Sequence, residues 1–245
     1  MLSGVMVRGL EHLTTWNRAE SPDHPLIIVA NHSSWWDAVM PILISLYRLD
    51  HDAYGVMEER QLEQYGFFRK LGMFSVDREN PRSAYRSIEY GANLLRQTGR
   101  VLWLFPQGLI LPNDKRPIHS YSGTAHLIRK TGACSIVPVA FRYELLHDER
   151  PTAFGRIGIP EYIPDTGKLD TEILNNEITE RLTRTVDLLR EDVLEERLES
   201  YEMIVRGRKS INERWSSLFN VKGKIQHSKV ENTSADFKQA PPSSP

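Results

Sequence analysis

The chain has 245 residues, of which 40% are hydrophobic and 26% charged, so it is long enough to bury a substantial core. Its 31 basic and 32 acidic residues give a formal net charge of −1, and this balance excludes a global field suited to nucleic acid. A single cysteine, Cys134, excludes an intrachain disulfide and a multi-cysteine metal site and favours a reducing compartment. It precedes an apolar run, where we expect a buried, inert thiol.

The first segment, residues 1–20, has apolar residues at helical spacing and is predicted to be an amphipathic helix that docks on the domain or on lipid. Arg8 and Glu11 interrupt its apolar run, so the segment does not match a cleaved secretory signal. The apolar stretches elsewhere are far shorter than the roughly 20 residues that span a bilayer. Any contact with a membrane is therefore expected to be peripheral or monotopic.

Residues 21–165 alternate between short apolar runs and helical patterns. The run Leu26–Ala30 is typical of a strand buried on both faces. The other predicted strands are Tyr54–Met57, Met73–Val76, Val101–Phe105 and Ile136–Phe141. The predicted helices between them are Trp35–Tyr47, Glu58–Leu71, Ser83–Gln97 and Tyr121–Lys130. This alternation predicts an α/β fold with a mostly parallel central sheet flanked by helices.

A C-terminal helical extension is predicted over residues 166–220. Apolar residues at three- and four-residue steps indicate a helix from about Thr171 to Leu198 that packs back on the core. The basic cluster from Arg206 to Lys229 fits either a solvated helix and tail or a surface that binds an anionic leaflet. Residues 221–245 are too polar to bury a core and are predicted to be a disordered tail.

The segment Asn31-His32-Ser33-Ser34-Trp35-Trp36-Asp37 directly follows the buried strand. In open parallel sheets, sites form at the carboxyl ends of strands, so His32 would lie where substrates bind. Ser34 is predicted to cap the next helix, with Asp37 at the third position of a capping box, which returns a carboxylate toward His32. A carboxylate that holds one imidazole N–H leaves the other nitrogen as a base. In isolation, such a pair would more simply be a loop histidine and a helix cap.

Three further segments follow in chain order: Val76-Asp77-Arg78, Phe105-Pro106-Gln107-Gly108 and Ile136–Ala140. Together with N-H-x-x-x-x-D, this set resembles the glycerolipid acyltransferase superfamily, which includes lysophosphatidic acid acyltransferases, over about residues 25–160. The resemblance implies that His32 is the general base and that Asp37 orients its ring. It also implies substrate-binding residues that contact or shape the acceptor pocket, namely Arg78, Phe105, Pro106, Gln107 and Gly108.

The implied reaction is O-acyl transfer from acyl-CoA or acyl-carrier protein to a hydroxyl of a lysophospholipid, glycerolipid or related lipid, without a covalent acyl-enzyme. No cofactor and no metal are expected, since the thioester is a co-substrate and the base is a histidine. The expected partners are the lipid acceptor, the thioester donor and a membrane surface, with no nucleic acid. The resemblance implies a location at the cytoplasmic face of a membrane, as a peripheral or monotopic protein.

Two departures from the superfamily pattern bear on the acceptor. Gln107 stands where a glutamate is usual, and Leu109-Ile110-Leu111 stands where threonine, arginine and serine are common. The missing arginine removes a bidentate phosphate clamp, which Lys115 and Arg116 could replace only if their loop curls back. A neutral glycosylated lipid, such as a carotenoid or isoprenoid glycoside, is therefore an alternative acceptor.

Two other functions stay open from the sequence. A hydrolase could use the same base on water, although the chain has no Gly-x-Ser-x-Gly elbow. An inactive lipid-binding or membrane scaffold is the alternative from another class, because the Gln107 departure removes a carboxylate. Arg78 also has a simpler interpretation, as a solvated residue that closes a strand.

Overall fold

The computed structural model describes residues 2–16, 24–49, 52–146 and 149–207. These residues form a sheet of nine strands with helices on both faces. The strands are β1 (Gly4–Arg8), β2 (Leu26–Ala30), β3 (Ala53–Glu58), β4 (Met73–Val76), β5 (Val101–Leu104), β6 (Cys134–Glu144), β7 (Thr152–Ile157), β8 (Glu161–Ile163) and β9 (Glu202–Arg206). Their order across the sheet is β4-β3-β5-β2-β6-β7-β1-β9, with β8 paired to β6.

The half of the sheet from β4 to β6 is entirely parallel. Beyond β6 the directions are mixed, because β6–β7, β6–β8 and β1–β9 are antiparallel whereas β1–β7 is parallel. The predicted α/β class with a mostly parallel sheet is therefore confirmed. All five predicted strands are present with small shifts at their ends, whereas β1, β7, β8 and β9 were not predicted.

The prediction of an amphipathic helix at the N-terminus is wrong for its first residues. Residues 4–8 form strand β1 rather than the first turns of an amphipathic helix, and a helix, α1, covers Glu11–Thr15. Val5 and Val7 pack into the core on one face of the sheet, while Met6 packs against the core on the other. This two-residue alternation suits a strand between β7 and β9, and tertiary pairing overrides the helical spacing.

The other helices are α2 (Met40–Arg48), α3 (Glu59–Gln64), α4 (Pro81–Leu95), α5 (Gly123–Thr131) and α6 (Thr171–Leu194). Short 3₁₀ helices cover Trp35–Ala38, Gly66–Leu71 and Thr166–Lys168. Two predicted helices are thus interrupted. Pro41, in the first turn of α2, lacks the N–H that would continue a helix from Trp35, so a separate 3₁₀ turn precedes α2.

Strand β2 is buried along its whole length, as predicted. Ile27 and Val29 belong to the core cluster that includes α4, α5 and α6, whereas Leu26 and Ile28 belong to the cluster that includes α1 and α2. Helix α6 buries Leu182 and Leu189 in the first cluster, so the predicted packing of this helix on the core is confirmed.

Several predictions fall outside the described residues, namely the tail at 221–245 and the basic cluster from residue 208 onward. The C-terminal extension, as far as it is described, ends in strand β9 and not in helix. None of the helices in the described ranges combines the length and the apolar character needed to cross a lipid bilayer.

Candidate active site

A cleft of about 880 Å³ lies at the carboxyl ends of β2, β3, β4 and β5. These four strands are parallel neighbours, so the residues that follow them meet at one edge of the sheet. They deliver His32, Glu58, Arg78 and Phe105 to the cleft lining. The structure therefore brings together the motif residues that the sequence placed after separate strands.

His32 and Asp37 form a hydrogen-bonded pair at the end of the cleft. Nδ1 of His32 lies 2.9 Å from Oδ2 of Asp37, and the imidazole remains partly open to the cleft. With Nδ1–H donating to the carboxylate, Nε2 is the nitrogen that can accept a proton. The ring also lies against Phe105, with a centroid separation of 4.9 Å. The predicted pair is present with the geometry of an oriented general base.

Asp37 is completely buried and accepts several hydrogen bonds. Its Oδ2 accepts from the backbone N–H groups of Ser33 and Ser34 at 2.6 and 2.8 Å, in addition to His32. The Ser34 hydroxyl caps the 3₁₀ helix in return, so the predicted capping box is present. These donors compensate the cost of burying a carboxylate and fix its position beside the imidazole.

Tyr143 is a site residue that the sequence did not reveal. Its hydroxyl donates to Oδ1 of Asp37 at 2.5 Å, from the end of β6. Burial holds the pKa of the Tyr143 phenol well above its ordinary value, and the charge of Asp37 raises it further, so the phenol stays a donor. The predicted strand ended at Phe141, and extending its alternation by two residues would have placed Tyr143 on the same face.

The loop after β5 holds the backbone of His32 on both sides. The buried Gln107 side chain accepts from His32 N–H through Oε1 at 2.8 Å, and Leu111 N–H donates to His32 O at 2.9 Å. Gln107 was expected to shape the acceptor pocket; the structure gives it a hydrogen bond that positions His32. An amide oxygen makes this contact as well as a carboxylate would, which explains how glutamine can stand at this position.

Asn31 fixes the position of β2 relative to β6. Its side chain donates to Phe141 O and accepts from Phe141 N–H, at 3.0 and 2.7 Å. It also donates to the Asn113 side chain at 2.9 Å. The first residue of the motif therefore holds together the strand that carries His32 and the strand that carries Tyr143.

Arg78 lies at the rim of the cleft. Its guanidinium donates to Gly108 O and to Glu58, the latter at 3.3 Å. Gly108 has a φ of +62°, which favours glycine, and a Cβ there would lie 2.5 Å from Nη1 of Arg78 and push the guanidinium away. Phe105, Pro106 and Gly108 line the cleft beside it.

The deeper part of the cleft is apolar. It runs between the sheet and the helices α3, α4 and α5 and is lined by Val56, Met57, Phe68, Met73, Phe74, Ile88, Leu104 and Leu127. The volume of the whole cleft falls within the range that is usual for pockets that bind small molecules. An apolar pocket that leads to a general base suits a lipid substrate.

Lys115 and Arg116 do not supply the missing phosphate clamp. Arg116 pairs with Asp187 on α6, and neither residue belongs to the cleft lining. Although the loop contacts His32 through Leu111, the side chains of Lys115 and Arg116 are thus not part of the cleft.

Comparison with known proteins agrees with this geometry. The model of the family described as Acyltransferase matches residues 4–142, which is more than half of the chain. The chain belongs to the acyltransferase family. This confirms the resemblance to the glycerolipid acyltransferase superfamily. The matched region contains the four strands of the cleft, His32, Asp37 and the loop after β5.

A curated relative gives the same picture. Over 139 residues the chain is 30% identical to the 1-acyl-sn-glycerol-3-phosphate acyltransferase of Streptococcus pneumoniae (strain ATCC BAA-255 / R6). The alignment covers 55% of this chain and 48% of that protein, so the chain matches about half the length of its relative. Among the described residues, no group of three or more His, Cys, Asp or Glu side chains is placed to hold a metal ion.

Proposed function

We propose that this member of the family transfers a fatty acyl group from a thioester to a hydroxyl of a glycerolipid or related lipid. The observation that supports this most directly is the His32–Asp37 pair at the end of an apolar cleft. Family membership and the named relative support the same reaction class. Acyl-CoA or acyl-carrier protein is the proposed donor, with no further cofactor.

The side chains supply general base catalysis. Nε2 of His32 takes the proton of the acceptor hydroxyl while its oxygen attacks the thioester carbonyl carbon. The buried Asp37 carboxylate stabilises the imidazolium that forms. When the tetrahedral intermediate collapses, the C–S bond breaks, the new ester keeps the acyl group, and the proton passes from His32 to the leaving thiolate. No covalent acyl-enzyme is required.

We also propose that the cleft mouth rests on a membrane, as expected for a peripheral protein at a cytoplasmic leaflet. Large apolar side chains that line the cleft are about half exposed at its mouth, namely Trp35, Leu109, Ile110 and Tyr121. Exposed apolar residues clustered around a binding cleft are typical of a surface that meets lipid. A lipid acceptor could then enter without crossing water.

The test compares wild-type protein with His32→Ala and with His126→Ala, a matched substitution of an exposed histidine on α5. Transfer of a labelled acyl group to lipid acceptors is measured with both acyl-CoA and acyl-carrier protein. The proposal is supported if the wild type and His126→Ala transfer the acyl group and His32→Ala does not. The circular dichroism of His32→Ala should be unchanged. No transfer by the wild type with either donor to any lipid hydroxyl would favour the scaffold function instead.

A further inference from the structure

The acceptor end of the cleft is defined by the residues around the base. Ile110 precedes Leu111, whose N–H bonds to His32 O, so Ile110 lies in the loop that holds the base. Its side chain lines the cleft and is 49% exposed. Ile110 and Arg78 therefore line the same cleft as the imidazole of His32.

Positive charge at this end is already neutralised. Among the described residues that line the cleft, Arg78 is the only lysine or arginine. It pairs with Glu58 and donates to Gly108 O. Two other carboxylates line the cleft: Asp37, which holds His32, and Glu79, which pairs with Arg60 at 2.9 Å. Each of these two arginines is thus matched by a carboxylate, and a phosphate dianion would compete with that carboxylate for the guanidinium.

One further positive element lines the cleft, the N-terminal turn of α5 at Ser122 and Gly123. A helix N-terminus by itself attracts an exposed anion only weakly. Strong phosphate binding in proteins usually uses bidentate arginine contacts, which the rim does not offer. Leu109 and Ile110 place apolar surface in the same region.

We propose that the natural acceptor is a lipid whose reacting hydroxyl has no neighbouring phosphate, such as a monoacylglycerol or a neutral glycolipid. This proposal rests on the acyl transfer proposed above and specifies its substrate class. The hydroxyl is held by His32, and the uncharged remainder of the head group packs against Leu109 and Ile110.

The experiment measures kcat/KM for lysophosphatidic acid, for the monoacylglycerol with the same acyl chain and for a neutral glycolipid, all in neutral detergent micelles. Four proteins are compared: wild type, Ile110→Arg, Ile110→Gln and Ile159→Arg. Ile110→Gln controls for the lost apolar surface. Ile159→Arg adds the same charge at a position that is 74% exposed and does not belong to the cleft lining.

We expect the wild type to favour at least one neutral acceptor over lysophosphatidic acid by tenfold or more. Ile110→Arg should raise the relative use of lysophosphatidic acid by about tenfold, because it supplies a phosphate partner beside the base. Ile159→Arg should leave that ratio unchanged, and Ile110→Gln should change it much less than Ile110→Arg does. Wild-type preference for lysophosphatidic acid would overturn this inference and leave acyl transfer standing, whereas transfer to no acceptor would count against the proposed function itself.

Discussion

The hydroxyl of Tyr143 donates a 2.5 Å hydrogen bond to Oδ1 of Asp37, across 106 residues of sequence. The opposite oxygen of the same carboxylate accepts from the ring of His32 and from two backbone N–H groups. Asp37 is therefore held from two directions, by its own loop and by β6. The orientation of the base depends on a strand that carries none of the local His–Asp motif.

Tyr143→Phe is expected to lower kcat by roughly tenfold and leave KM nearly unchanged. The substitution leaves Oδ1 of a buried carboxylate without its donor, which costs ~1–3 kcal/mol, and a change of ~1.4 kcal/mol in the barrier is tenfold in rate. Steady-state kinetics measure kcat and KM, and thermal unfolding measures the stability lost with the hydrogen bond. Tyr85→Phe, which removes an exposed hydroxyl bonded to Lys130, is the control. A rise in KM with unchanged kcat would contradict the positioning role.

Gln107→Ala and Gln107→Glu are expected to behave differently. Alanine leaves His32 N–H without its acceptor in a buried site, at ~1–3 kcal/mol, and should lower kcat by about tenfold or more. Glutamate keeps an acceptor at the same distance and should lose less activity. The measurement is kcat for both variants beside their circular dichroism. Equal losses of kcat in the two variants would show that the hydrogen bond accepted from His32 N–H does not determine activity.

Substituting the cleft mouth should weaken membrane binding. The double variant Trp35→Gln, Leu109→Gln removes two exposed apolar side chains, each worth up to ~1.5–3 kcal/mol when fully buried. Co-sedimentation with phosphatidylcholine vesicles, with and without anionic lipid, should show at least a tenfold loss of partitioning. Ile159→Gln serves as the matched control. Binding by the double variant that equals the wild type would place the membrane contact elsewhere.

Cys134 should be unreactive in the folded protein. Burial raises the pKa of its thiol to about 12, so almost no thiolate exists near pH 8. Iodoacetamide labelling followed by mass spectrometry should find the folded protein unmodified and the denatured protein modified once. Rapid labelling under native conditions would show that β6 opens at its start.

The parts of the fold that could be predicted from the sequence are those that depend on residues close together in the chain. Strand β2 is buried on both faces and so reads as a continuous apolar run, and the capping box at Ser34 and Asp37 depends on four consecutive residues. Because parallel strands carry their active loops at one edge, the meeting of His32, Arg78 and Phe105 could also be predicted.

The remainder depends on contacts between distant segments. The apolar residues in 4–8 fit the spacing of a helix as well as the two-residue alternation of a strand. Pairing with β7 and β9 stabilises the strand. The donor from Tyr143 requires the register of β6 on β2, and the pairing of Arg78 with Glu58 requires the ends of β3 and β4 to adjoin. Neither register is encoded in the residues of one segment.

The two hydrogen bonds that fix the backbone of His32 are made with Gln107 and Leu111, and both residues belong to the loop that also lines the cleft. A displacement of this loop would therefore also move the base. An acceptor that fits poorly and displaces this loop also displaces the imidazole from its line of attack. Discrimination between acceptors should consequently appear in turnover as well as in binding, since misaligned reacting atoms slow the chemical step itself.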